Sequence, residues 1–302
     1  NLKPTVSFSS SYGIQEIIKR PDLLNGEQYR QVHEAARLNY LSDIQAGILP
    51  APTSGSAAGL ALKTPMANTG VNTNWLDYVL RTGAITNNQF SFSSGGENSK
   101  IYFSVSNISQ EGIIKQDKYD VSRVRLNVEQ KITNKLKFGV NSYFTYLDSV
   151  PIVDDNNTYQ PYSNAINAAP NLAPYGEDGK PNRNLTSNNP LWAFERVVSD
   201  RYQTIGSNIY AVYNPIKNLT LKSSVSGSIM SRRYNRFDAP NTRRGEQAGK
   251  PWGYGYYSTN NNREYLIENT ANYNKEFVDG RLVVDVLAGQ SFQRWEYEDS
   301  YV

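Results

Sequence analysis

Tight turns alternate with long loops along this chain, and that rhythm constrains its fold more than any other feature. From residue 87 onward, amphipathic runs meet at Gly95-Gly96-Glu97-Asn98, Thr133-Asn134, Lys217-Asn218 and Asp279-Gly280. Between those turns lie connections at 150–200 and 238–262, rich in Asn, Pro, Gly, Tyr and Trp. Tight turns at one end of a sheet and long loops at the other describe an antiparallel up-and-down meander. In outer-membrane barrels the turns are periplasmic and the loops face outside. The rhythm therefore predicts an all-β, antiparallel up-and-down transmembrane β-barrel, with long extracellular loops that carry short helices.

The pattern within the runs agrees. Val6, Phe8 and Tyr12 share one face of a first strand over Thr5 to Tyr12, opposite Ser7, Ser9 and Ser11. A first outer loop at 14–86 then interrupts the alternation. Within it, Asn25-Gly-Glu-Gln28 has the spacing of a capping box, an Asn cap with Gln at the third helical position, and predicts a helix through about Tyr40. A second short helix is expected from Asn74 to Arg81, stopped by Gly83. Strands return over 87–149. Val124, Leu126 and Val128 oppose Arg123, Arg125 and Asn127; Leu136, Phe138, Val140 and Phe144 oppose Lys135, Lys137 and Asn141. A wet interior and a lipid exterior demand such paired rows. The outer loop 150–200 carries Asn189-Pro190, a helix start leading into Leu191 to Val197. Residues 201–302 read as a second strand meander with the outer loop 238–262, ending in the Asp279-Gly280 hairpin. The count is about nine strands. Bacterial single-chain barrels have even counts, so the expectation is a partial barrel, an internal or processed piece of a longer protein.

Composition narrows the chemistry. The 302 residues contain no Cys and one His, His33, which excludes thiol catalysis and a Cys-based metal site and leaves a Ser-His-Asp triad without a base near the strands. No metal or cofactor is expected. Asp154-Asp155-Asn156-Asn157 lacks the alternating ligands and distal Glu of a calcium loop and reads as a turn. The net charge of +3 gives no footprint for nucleic acid. A mean hydropathy of −0.60 is compatible with membrane strands, because a barrel strand needs only about 9–11 residues with every second one apolar.

Asn74-Trp75-Leu76-Asp77, Arg81-Thr82-Gly83, Phe90-Ser-Phe-Ser-Ser-Gly-Gly96, Ser99-Lys-Ile-Tyr-Phe-Ser104, Gln110-Glu-Gly-Ile-Ile114 and Arg123-Val-Arg-Leu-Asn127 follow one another in this order. That succession resembles the SusC/RagA family of TonB-linked (TonB-dependent) outer-membrane transporters. The run Thr5 to Gly13 resembles the first barrel strand after the family's plug, and the likeness is strongest at 74–147. The resemblance implies a 22-stranded barrel around an N-terminal plug, importing oligosaccharides or peptides with energy delivered through TonB. It also implies a SusD-like lipoprotein as a lid, and outer-membrane lipids around the wall. The plug domain is absent from these residues, so the chain reads as wall and loops, not an enzyme.

Trp252, Tyr254, Tyr256 and Tyr257, spaced by glycines, present flat aromatic faces suited to sugar rings; an aromatic belt or loop packing accounts for the same residues. Trp192 joins them as a substrate-binding candidate, with loop packing the plainer role. Trp75 reads as docking the first loop. Arg232, Arg233, Arg236, Arg243 and Arg244 form a cluster for an anion or partner contact, since Arg favours bidentate anion recognition; a solvated loop is the plainer alternative. The competing fold is a soluble extracellular β-sandwich, a carbohydrate-binding module or adhesin, in which the Leu136, Phe138, Val140 and Phe144 row would be buried against a second sheet.

Overall fold

The computed structural model describes residues 2–50, 65–152, 160–183, 189–240, 242, 245, 252–279 and 281–302. Among the described residues nine strands form one antiparallel sheet, each paired with its neighbours in chain order. They are β1 (Leu2–Gln15), β2 (Gly83–Gly95), β3 (Ser99–Glu111), β4 (Lys118–Lys131), β5 (Leu136–Val150), β6 (Arg196–Tyr213), β7 (Leu219–Asp238), β8 (Tyr254–Phe277) and β9 (Leu282–Tyr301). The expected meander of nine strands is therefore present.

The tight turns carry the chemistry that turns require. Gly96 donates its N–H to the Ser99 carbonyl at 2.7 Å between β2 and β3. Thr133 Oγ1 accepts from the Lys135 and Leu136 amides at 3.2 and 3.1 Å. Asn218 adopts φ 74°, a left-handed conformation that Asn tolerates. At the last turn Val278 and Asp279 have φ 54° and 52°, and Arg281 donates to the Val278 carbonyl at 3.1 Å; Gly280 lies outside the described residues.

Register sorts the side chains onto two faces. On one, Phe8, Phe90, Val105, Val124, Phe144, Ile205 and Ile229 stand opposite one another in a continuous row across seven strands. Along β5 this apolar face runs from Leu136 to Phe144, broken only by Ser142, close to the roughly 9–11 residues that cross a bilayer. Among the described residues no second layer covers it: Phe8 is 70% exposed and Phe292 59%. The other face carries Ser91, Ser104, Arg125, Asn141, Asn208 and Ser226. The burial that a sandwich would need is missing.

The buried core lies instead at the loop end. Helix α1 (Gly26–Gln45) opens with the expected capping box, Asn25 Oδ1 accepting from the Gln28 amide at 2.8 Å and Gln28 Oε1 from the Asn25 amide at 3.0 Å. Gly26 is its one buried residue. Helix α2 (Trp75–Val79), helix α3 (Pro161–Asn167) and a 3-10 helix at Pro190–Glu195 pack together. Trp75, Leu76, Val79, Leu80, Ile114, Ile152, Ala165 and Val198 form their shared core. Trp75 is 2% exposed and its Nε1 donates to the Ala169 carbonyl at 3.0 Å, so it docks the first outer loop onto the 150–200 loop.

Two elements depart from the sequence expectation. The short helix read over Leu191 to Val197 is a 3-10 turn ending at Glu195, because Arg196 already pairs with Asp238. The aromatic stretch read as part of loop 238–262 is strand from Tyr254 onward, paired with β7 as far as Asp238. Several strands run further toward the loops than alternation shows. β8 holds 24 residues, about 80 Å at roughly 3.3 Å each.

Candidate functional site

The extra length of β6, β7 and β8 builds a wall above the apolar band, and its polar face holds the candidate site. Alternation puts Arg196, Val198, Asp200 and Tyr202 of β6 on this face, with Arg232, Tyr234, Arg236 and Asp238 of β7 and Tyr254 and Tyr256 of β8. Asp200 accepts from Arg232 Nε and Nη2, each at 2.8 Å, a fork-to-fork pair. The guanidinium so fixed lies 5.0 Å from the Tyr202 ring centre and 5.6 Å from that of Tyr234, within the range of cation–π attraction. Tyr234 meets Tyr256 edge-on at 5.9 Å. Tyr202, Arg232, Tyr234 and Tyr256 thus form one half-buried strip across three strands.

On the loop side of the strip, along the same face, the wall is pinned by a buried ionic knot. Asp238, 1% exposed, takes Arg196 Nε on one carboxylate oxygen at 2.9 Å and Arg236 Nε on the other at 2.7 Å. Both guanidiniums are held in place by this pairing, as Arg232 is by Asp200, so these inner arginines act first on the wall itself.

The structure separates the residues that the sequence grouped. Tyr254 and Tyr256 lie on the polar face, Tyr257 on the opposite one, and Trp252 in the turn before β8 with 67% exposure. Trp192 sits half-buried on the 3-10 helix between buried Leu191 and Ala193. Arg232 and Arg236 face the polar side, and Arg233 the apolar side. Arg243 and Arg244 lie outside the described residues, as does the 154–157 turn. Tyr202, Tyr234, Asp200 and Arg196 belong to the site but were not singled out. The available signal was spacing by two, Asp200-x-Tyr202 and Arg232-x-Tyr234-x-Arg236.

Lower on the polar face, Asn127, Asn141, Asn208 and Ser226 stand in one register row. With Arg125 and Glu264 they line a groove of about 440 Å³. Asn208 Nδ2 donates to Ser226 Oγ at 2.6 Å. Two crossed pairs keep this wall low. The Tyr143 ring lies over Gly206, where an added Cβ would stand 2.5 Å from it, and Tyr210 lies over Gly139 in the same way. Tyr210 reaches Glu129 with its hydroxyl at 3.2 Å. Glycine leaves room for a ring to lie along the sheet and not project from it.

Comparison with known proteins agrees with this architecture. The chain is 27% identical to TonB-dependent receptor P3 of Formosa agariphila, over 99% of its own length and 28% of the relative. It is 25% identical to TonB-dependent receptor SusC of Bacteroides thetaiotaomicron, over 74% of its length and 20% of that protein. The solved RagAB peptide transporter superposes over 99% of this chain and 36% of its own, with TM-score 0.70 at 19% identity; the RagAB peptide importer in an open state gives the same score. No family model matches the chain. The chain therefore spans little more than a quarter of the curated relatives named first and about a third of the solved chains. The SusC/RagA resemblance read from the sequence holds, and the nine-stranded sheet matches the β-barrel portion of a RagA-like transporter.

Proposed function

We propose that this chain is part of the barrel wall and outer loops of an outer-membrane importer, taking up oligosaccharides or peptides. The carrying observation is the uncovered apolar face, about nine residues tall on β5 and topped by polar rows, with tight turns below and a helix-bearing cap above. An apolar surface of that height is stable against acyl chains and unstable in water. The polar face then lines the lumen, and the Tyr202–Arg232–Tyr234–Tyr256 strip faces the vestibule beneath the loops. Its flat rings, polar at the tip, suit stacking against a bulky polar solute. Trp252 and Trp192 stand in the same outer zone as secondary contacts, whereas Tyr257 faces away from the lumen.

In this reading a SusD-like lipoprotein rests on the loop end, where α1 presents exposed Val32 and Leu38. Energy arrives through TonB and the plug domain of the full-length protein. Curated relatives are named receptors and the solved neighbours a transporter or importer, which supports a role without covalent chemistry. Uptake of labelled oligosaccharides and labelled peptides into cells with and without the full-length gene tests the proposal. Loss of uptake of one class is expected. A full-length protein recovered without detergent, or deletion that changes neither uptake, would end it.

A further inference from the structure

Above the last apolar row, the apolar-side face changes character within two register steps. The next row is Ser10, Asn88, Asn107, Ser122, Tyr146, Gln203, Ser231 and Asn261. The row after it reads Asp120, Asp148, Arg201, Arg233 and Thr259. Its acids are engaged: Lys118 Nζ lies 2.7 Å from Asp120, and Arg201 Nε 3.3 Å from Asp148. Arg233 stands directly opposite Arg201 on the neighbouring strand, and among the described residues no carboxylate pairs with it. Like charges directly opposite on paired strands repel, with Cβ atoms only about 4.5–5.5 Å apart. Arg201 is half exposed, and its contact with Asp148 is made through Nε.

Position gives this pair a partner. The row lies four residues past Phe144, Ile205 and Ile229, roughly 13 Å along the strand and about 10 Å in height at a strand tilt of roughly 35–45°. A bilayer's headgroup layer adds about 5–8 Å on each side of the hydrocarbon, and long arginine side chains just above it bend back to place their charge among the headgroups. We propose that Arg201 and Arg233 together bind the phosphate of an anionic lipid headgroup at the loop-side rim of the barrel. Two adjacent guanidiniums match the oxygens of one phosphate, and the shared anion relieves their repulsion. The inference rests on the membrane reading above.

The test is native mass spectrometry of the full-length protein in detergent, titrated separately with short-chain phosphatidylglycerol, phosphatidylcholine and inorganic phosphate. Phosphatidylglycerol is expected to bind best, and R201Q/R233Q to weaken it roughly tenfold, the scale of a lost charge-assisted contact. R233K should fall between, keeping the charge but losing the fork. Lys222→Gln, on the polar face, should leave lipid binding unchanged. Equal phosphatidylglycerol retention by wild type and double variant overturns the proposal. So does inorganic phosphate binding that phosphatidylglycerol cannot displace. A protein that needs no detergent would instead defeat the membrane reading itself.

Discussion

The barrel wall and the loop cap treat apolar side chains in opposite ways. In the cap, Trp75 and Val79 are 2% and 0% exposed, packed with Ile152 and Ala165 from a loop about 75 residues further along. In the wall, Val225, Ile205 and Phe138 stand 53%, 55% and 43% exposed on one face. The cap is held by exclusion of water from a small core, the ordinary basis of a soluble domain. The wall is held by backbone ladders, and its apolar face is stable only against a solvent that is itself apolar. One chain therefore folds for two solvents, and the polar rows from Ser10 to Asn261 mark where one gives way to the other.

The comparison is broken most readily at the cap. Trp75→Ala should cost about 3–5 kcal/mol of local stability, the usual range for removing a buried aromatic ring. Hydrogen exchange on the full-length protein in detergent should show α2 and α3 losing protection while β4 to β7 keep theirs. Equal loss in both regions would mean that cap and wall are one cooperative unit. Asp238→Ala strikes the junction. It leaves Arg196 and Arg236 without the carboxylate that holds both, a change worth about 3–5 kcal/mol for a buried pair. Fraying is expected at the loop ends of β6 and β7, with the apolar band below unaffected.

The wall is tested from its lipid side. Val140 lies on the apolar face between Val128 and Ile209, near the middle of the Leu136 to Phe144 stretch. Val140→Arg should destabilise the protein in liposomes by about 2–4 kcal/mol, as arginine does at a bilayer midplane. Asn141→Arg, one residue on and facing the other way, should change it by no more than about 0.5 kcal/mol. Urea unfolding in vesicles measures both. If the two cost the same, the apolar face does not meet lipid.

Where sequence and structure part follows from the same division of solvents. Inside the band one face is dry and the other wet, so alternation is visible: Leu136 to Phe144 against Lys137 and Asn141 reads as strand without ambiguity. Above the band both faces are wet. There the backbone keeps pairing, but Tyr254-Gly-Tyr-Tyr-Ser-Thr-Asn260 shows no apolar period and reads as loop. The separation of Tyr256 from Tyr257, and of Arg232 from Arg233, was hidden for that reason. Helix α3 was missed although Pro161 occupies its first turn, a usable start signal. The capping box at Asn25 and Gln28 was legible because it is local. The Asp200–Arg232 pairing spans 32 residues, and no local rule reaches it.

The smallest expected effect separates two parts of the cap by pH. On α1, hydrogen bonds from Arg30 and Gln31 hold the Glu27 carboxyl below the ordinary carboxylate range, and Arg37 does the same for Glu34. A carboxylate lowered in this way adds stability above its unfolded value, and that stability is lost as pH falls through the folded one. In the turn before β4, burial pushes the Asp117 carboxyl up, against the opposing pull of the Ile152 amide and the Arg81 charge. Its contribution has the reverse sign: full below the ordinary carboxylate value and lost as pH rises through the raised one. Lowering the pH through the carboxylate range should therefore loosen α1 while it tightens the 112–117 turn. Hydrogen exchange corrected for its intrinsic pH dependence resolves the two, and Asp117→Asn should flatten the slope of the turn alone. A turn that loosens together with α1 would show that Asp117 is stabilised by the Arg81 charge more than it is penalised by burial.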